Sequence, residues 1–122
     1  LSDADHALIR EGLFRPLAAS ISKHPAGKSN WQTYHNSAFL YLGGLLGDVE
    51  MVRRALLDEE NGFYYQMRVS VLPGGMWYEN SWSYHFYTLT AVARSWKRHV
   101  DSVSISTRFH RQRICTPSLS TI

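Results

Sequence analysis

The chain has little that would fix it covalently or place it in a membrane. Its single cysteine, Cys115, excludes an internal disulfide, and one thiol does not identify a redox compartment. No apolar run approaches the roughly 20 residues that a helix needs to cross a bilayer. No basic-then-apolar leader stands in these residues either, so neither membrane insertion nor a signal peptide is expected within them. The six histidines lack a paired spacing such as His-Glu-x-x-His, and the thiol count is too low for a structural zinc site. No metal and no cofactor is expected.

Charge is sparse and uneven. Charged residues make up 19% of the chain, which carries a net +3. From residue 97 onward, Lys97, Arg98, Arg108, Arg111 and Arg113 face only Asp101, a local excess of +4 that leaves −1 for residues 1–96. Such a basic terminal segment could attract phosphate or an acidic polymer. It lacks the regularly spaced aromatics of a stacking platform, so nucleic acid is not expected as a partner.

What the sequence does have is aromatic density in one place. At 122 residues the chain is one domain at most, large enough to bury a core. Within it, Gly74 to Leu89 crowd a carboxylate, an amide, hydroxyls, three phenols and an imidazole beside the rings of Trp77, Trp82 and Phe86.

Helical periodicity dominates elsewhere. Ser2 and Asp5 read as a capping pair opening a helix over 2–22, with a kink or break expected near Arg15 because Pro16 removes a backbone donor. A second helix is expected from Ser29 or Asn30 to about Leu46, with Tyr34, Ala38, Tyr41, Leu42 and Leu45 as its apolar stripe and Gly43-Gly44 suiting close helix packing. By residue preference alone, Asn30 reads as its N-cap. Gly47-Asp48 reads as a C-cap followed by a new N-cap, opening a short helix over 49–57. Residues 63–72 fit either helix or strand; helix is favoured because no partner strand presents itself. Pro73-Gly74-Gly75 stops that element. A last helix is expected from Glu79 to about Arg98, packing through Trp82, Phe86, Leu89, Ala93 and Trp96. Tyr84, Tyr87, Thr88 and Ala91 would then form a second face open to a ligand. Beyond Trp96 the periodicity fades, which predicts a poorly packed basic tail over 97–122.

Three pieces of the chain resemble a known family. Ser29-Asn30-Trp31-Gln32-Thr33-Tyr34-His35, Leu46-Gly47-Asp48, and Gly75-Met76-Trp77-Tyr78-Glu79-Asn80-Ser81 followed by Tyr84-His85-Phe86-Tyr87 are similar to segments of the heparinase II/III and oligo-alginate lyase group of polysaccharide lyases. The resemblance covers roughly residues 28–96. It implies an all-α fold in which helical hairpins over 1–96 form part of an incomplete (α/α) toroid. It also implies β-eliminative cleavage of a uronic-acid polysaccharide such as alginate or heparan-type chains, and a periplasmic or secreted setting.

By that resemblance Asn30 neutralises the uronate carboxylate and Tyr84 is the general acid or base. His85 joins the catalytic set, while Trp77, Glu79, Tyr87 and His35 bind or orient the sugar, with Trp77 stacking on a pyranose ring. The partners implied are an acidic polysaccharide together with the remaining toroid helices and a β-sandwich domain, or an oligomer that covers the exposed helical faces. Where the family shows Asp-Gly, this chain has Gly74-Gly75 and so lacks one loop carboxylate. The change of character after Trp96 suggests that the tail arises from a frameshift or misannotated end. Two other readings stand beside the lyase. One is an inactive helical remnant that at most binds sugar through Trp77, Tyr84 and Tyr87. The other is an inverting glycoside hydrolase using Glu79 with Asp48 as its carboxylate pair.

Overall fold

A computed structural model describes residues 1–97. These are all-α, and the only extended pairing among them is an isolated antiparallel bridge between Val71 and Trp77. The tail expected over 97–122 lies, from residue 98, outside the described residues.

The first helical run spans residues 3–23 without the expected break. It comprises α1 (Asp3–Ile9), a π-helical turn (Arg10–Phe14) and α2 (Arg15–Lys23). Ser2 and Asp5 form a reciprocal capping box at its start. Pro16 cannot donate to the carbonyl four residues back, and the chain meets this with a π-helical turn through which the helix continues. The Arg15 N–H reaches back five residues to the Arg10 carbonyl, which is the π-type bond.

Helix α3 (Asn30–Leu46) is the central element, contacted by the π turn, α2, α4 (Val49–Leu57) and α5 (Phe63–Ser70). Gly47 in the left-handed region ends α3, and Asp48 caps α4 by accepting the Met51 N–H at 2.9 Å. Gly43 lets the two helices approach: a Cβ there would meet Val52 Cγ2 at 2.7 Å and the Asp48 carbonyl at 3.0 Å.

The buried face of α3 differs from the expected stripe. Tyr41 and Leu45 are exposed, whereas Gln32, Thr33, Asn36 and Ser37 are buried beside Phe39, Leu40 and Leu42. Gln32, Thr33 and Asn36 are hydrogen-bonded and so can be buried. Gln32 accepts the Ala26 N–H at 2.7 Å and donates to Asn36 at 2.9 Å, and Asn36 donates to the Asn61 carbonyl at 2.8 Å. The apolar core is a small cluster of Ala18, Phe39, Leu40, Leu42 and Ala55, with Phe14, Ile21, Met51, Val52 and Leu56 packed against it.

The last described helix, α6, begins at residue 82 and is helical through 97. Its packing reverses the expectation. Thr88, Ala91 and Ser95 are buried, while Trp82, Phe86, Leu89 and Trp96 are exposed. The buried face of α6 is thus made of small residues, and the bulky rings project outward. Trp82 and Phe86 stack on each other with centroids 6.0 Å apart.

Candidate functional site

Two loops position the site. Residues 26–29 lead into α3 and are pinned by long-range hydrogen bonds. The Gln66 amide donates to the Gly27 carbonyl at 2.9 Å, and the Tyr78 hydroxyl donates to the Lys28 carbonyl at 2.7 Å. Lys28 Nζ lies 4.3 Å from the centroid of the Tyr78 ring. Ser29 closes the loop by donating to the Ala26 carbonyl and caps α3 by accepting the Gln32 N–H at 3.2 Å. Asn30 is therefore the first helical residue and not the cap, so its side-chain amide is not spent on capping.

The second loop follows Pro73-Gly74-Gly75. The Leu72 N–H donates to the Met76 carbonyl and the Tyr78 N–H to the Ser70 carbonyl, closing a short hairpin-like turn. Asn80 sits at φ 51°, a left-handed conformation that asparagine tolerates better than most residues, and it delays the helix from Glu79 to residue 82. Trp77 is 2% exposed. Its indole N–H donates to Glu79 at 2.7 Å, and its backbone N–H donates to His85 Nδ1 at 3.2 Å. With Nδ1 accepting, the proton of the neutral His85 ring sits on Nε2.

These constraints bring Asn30 and Trp31 at the start of α3 against Ser83, Tyr84 and Tyr87 on the first turns of α6. The five residues line an open pocket of about 310 Å³. Asn30 is 3% and Tyr84 50% exposed, so the amide forms buried wall while the phenol stands half in solvent. Tyr87 packs on Tyr34, with centroids 4.3 Å apart, and makes a T-shaped contact with Trp31. None of the five lining side chains carries a formal charge, so an acidic ligand would be met by amide, hydroxyl and aromatic groups.

Of the residues expected at a site, Asn30, Tyr84 and Tyr87 come together and the others do not. His85 lines a different hollow of about 50 Å³, shared with Trp77, Thr88 and mostly apolar neighbours. Trp77 cannot stack on a sugar as placed, because its ring is enclosed by the turn it stabilises. Glu79 is engaged by that indole and does not line the Asn30–Tyr84 pocket. It orders the loop that delivers Tyr84. His35 is half-buried on α3, with Nδ1 sealed from solvent and without a hydrogen-bond partner among the described residues. Desolvation holds its pKa below the ordinary 6.5, favouring the neutral ring.

The proposed hydrolase pair is not assembled either: Asp48 caps α4 and lines a separate hollow near Arg53 and Arg54. That hollow is larger, about 530 Å³, but two loose ion pairs, Arg53–Glu50 at 3.8 Å and Arg54–Asp58 at 4.0 Å, make it a solvated charged surface. Among the described residues no cluster of three or more His, Cys, Asp or Glu could hold a metal ion, and no helix is long and apolar enough to cross a membrane.

Sequence reasoning missed Trp31, Ser83 and Tyr34. Trp31 and Ser83 each adjoin a residue that was singled out, but nothing in the periodicity says that the two helix starts meet.

No protein-family model matches the chain, and comparison with curated proteins and with solved structures likewise finds no match.

Proposed function

We propose that this chain is part of a polysaccharide lyase that cleaves uronic-acid polysaccharide by β-elimination, its helices belonging to an (α/α) toroid. The observation that carries the reading is the convergence of Asn30 and Tyr84, remote in sequence, on one open pocket. In this reaction the C5 proton of a uronate is removed, a C4–C5 double bond forms, and the C4–oxygen bond breaks. The proton is delivered to the departing glycosidic oxygen. Charge develops on the uronate carboxylate as C5 loses its proton, and a preorganised amide donor stabilises it. Asn30 supplies that donor, its helix being capped by Ser29 instead.

Tyr84 serves as general acid. It is half exposed and borders the space a sugar would enter, so its phenol can deliver a proton to the leaving oxygen. Taking the C5 proton as well would require a nearby positive charge, which none of the five lining side chains supplies and which the remaining toroid helices would have to bring. Tyr87 forms the neighbouring wall. His85 acts through the loop: its ring accepts the Trp77 N–H and so helps hold the segment that precedes Tyr84. His35 and Glu79 take structural roles in this scheme. The substrate is an acidic polysaccharide or oligosaccharide. The exposed ring face of α6 suits cover by further toroid helices, by a β-sandwich domain or by an oligomer.

The test is ultraviolet detection of the unsaturated product on alginate and heparan sulfate oligomers, with Tyr84→Phe measured alongside. Product formation that drops about 100-fold or more in the variant supports the role of the phenol. Absence of product from every acidic polysaccharide favours the inactive remnant, and turnover that survives the substitution removes Tyr84 from the chemistry.

A further inference from the structure

Trp31 has an unusual position for an indole. It is 63% exposed although it sits in the first turn of the most buried helix, next to Asn30, and it lines the Asn30–Tyr84 pocket. Its ring is not loose. It meets the Tyr87 ring edge-on, with centroids 6.5 Å apart and planes at 64°. Tyr87 is in turn held by Tyr34, whose ring centroid lies 4.3 Å away and whose hydroxyl donates to the Tyr87 carbonyl. The three rings run from a half-buried anchor on α3, through the pocket wall, to an exposed rim.

A T-shaped contact covers at most one face of the indole, so at least one flat face is not taken by Tyr87, and a flat apolar face matches the C–H-bearing face of a pyranose. An aromatic wall with a few convergent polar groups is the common make-up of a small-molecule site. Trp77, the tryptophan within the second loop, is enclosed and has no such face to offer, and Trp82 does not line the pocket.

We propose that Trp31 is the sugar-stacking platform of this pocket, seating a pyranose ring of an acidic oligosaccharide so that its carboxylate meets Asn30 and its reacting carbon faces Tyr84. The assignment rests on the lyase reading for the acidic nature of the sugar, but not for the stacking itself. Stacking is indifferent to charge, whereas the amide selects the carboxylate, so the two contributions can be separated by changing the ligand.

The experiment is calorimetric titration of the full chain in the Tyr84→Phe background, which prevents ligand cleavage. The probes are a β-linked oligouronate of three or four sugars and a neutral hexose oligomer of the same linkage. Trp31→Ala should weaken oligouronate binding tenfold or more, Trp31→Phe should stay within about threefold of the parent, and Trp82→Phe, an exposed indole outside the pocket, should change nothing. Circular dichroism of each variant checks the fold, and Trp31→Phe keeps the comparison informative if the alanine variant does not fold. Undiminished oligouronate affinity in Trp31→Ala, with Asn30→Ala weakened, overturns the platform and leaves the lyase reading standing. Neutral-sugar binding that depends on Trp31, without oligouronate binding, sustains the platform and removes the uronate. If neither sugar binds, both fall.

Discussion

The Tyr34 hydroxyl donates to the main-chain carbonyl of Tyr87 at 3.2 Å while the two rings pack 4.3 Å apart. One residue of α3 thus grips both the backbone and the side chain of α6 at the level of the pocket. Tyr34→Phe keeps the ring contact and loses one hydrogen bond, a cost of about 0.5–1.5 kcal/mol. Tyr34→Ala loses both, so urea midpoints should fall in the order wild type, Phe, Ala. Equal midpoints for the two variants would show that the ring contact contributes nothing.

Ser29 and Asn30 divide two tasks that residue preference alone would give to one of them. Ser29→Ala removes the α3 cap and should cost about 1 kcal/mol in thermal or chemical denaturation. Asn30→Ala leaves the Ser29 cap and the Asn30 main-chain carbonyl, which accepts the Thr33 hydroxyl at 2.6 Å, in place. It should cost less stability than Ser29→Ala and yet weaken binding or turnover of uronate oligomers. The reverse ranking would return Asn30 to a purely structural role.

Gly43 is where α3 and α4 touch. A methyl group there would stand 2.7 Å from Val52 Cγ2 and close to the main chain of Asp48, which cannot easily yield. Gly43→Ala gains helix propensity of roughly 1 kcal/mol. It loses more to overpacking, typically 1–3 kcal/mol. A net fall in melting temperature is expected, and a rise would mean that α4 can move aside cheaply.

His35 makes stability depend on pH. Its folded pKa is depressed by desolvation, so the unfolded chain binds the proton more readily. The contribution of the neutral ring is fully present above the unfolded value of about 6.5 and is lost as pH falls below it toward the folded pKa. Denaturation midpoints should decline as pH is lowered through that window, and His35→Leu should flatten the decline. An unchanged slope in the variant would assign the pH dependence to other groups.

Local chemistry made much of the helical layout legible. The Ser2 and Asp5 capping box, the glycine stop at Gly47, the Asp48 cap, the 49–57 helix and the close approach at Gly43 depend on groups a few residues apart or on one missing side chain. These can be read without coordinates because the interacting groups are neighbours along the chain.

Burial was another matter. Hydrophobicity placed Trp82, Phe86 and Leu89 inward, but α6 buries the small residues Thr88, Ala91 and Ser95 and leaves those large side chains exposed. Likewise, the polar face of α3 is buried because partners as distant as Ala26 and Asn61 satisfy it. The sequence by itself determined where helices start and stop and which chemical groups stand at their ends. Only the tertiary structure decided that Asn30 and Tyr84 share a pocket while Trp77 and Glu79 form the turn beside it and His85 on α6 braces that turn. That choice follows from how two loops are pinned by the Tyr78 and Gln66 hydrogen bonds, long-range contacts that no periodicity encodes.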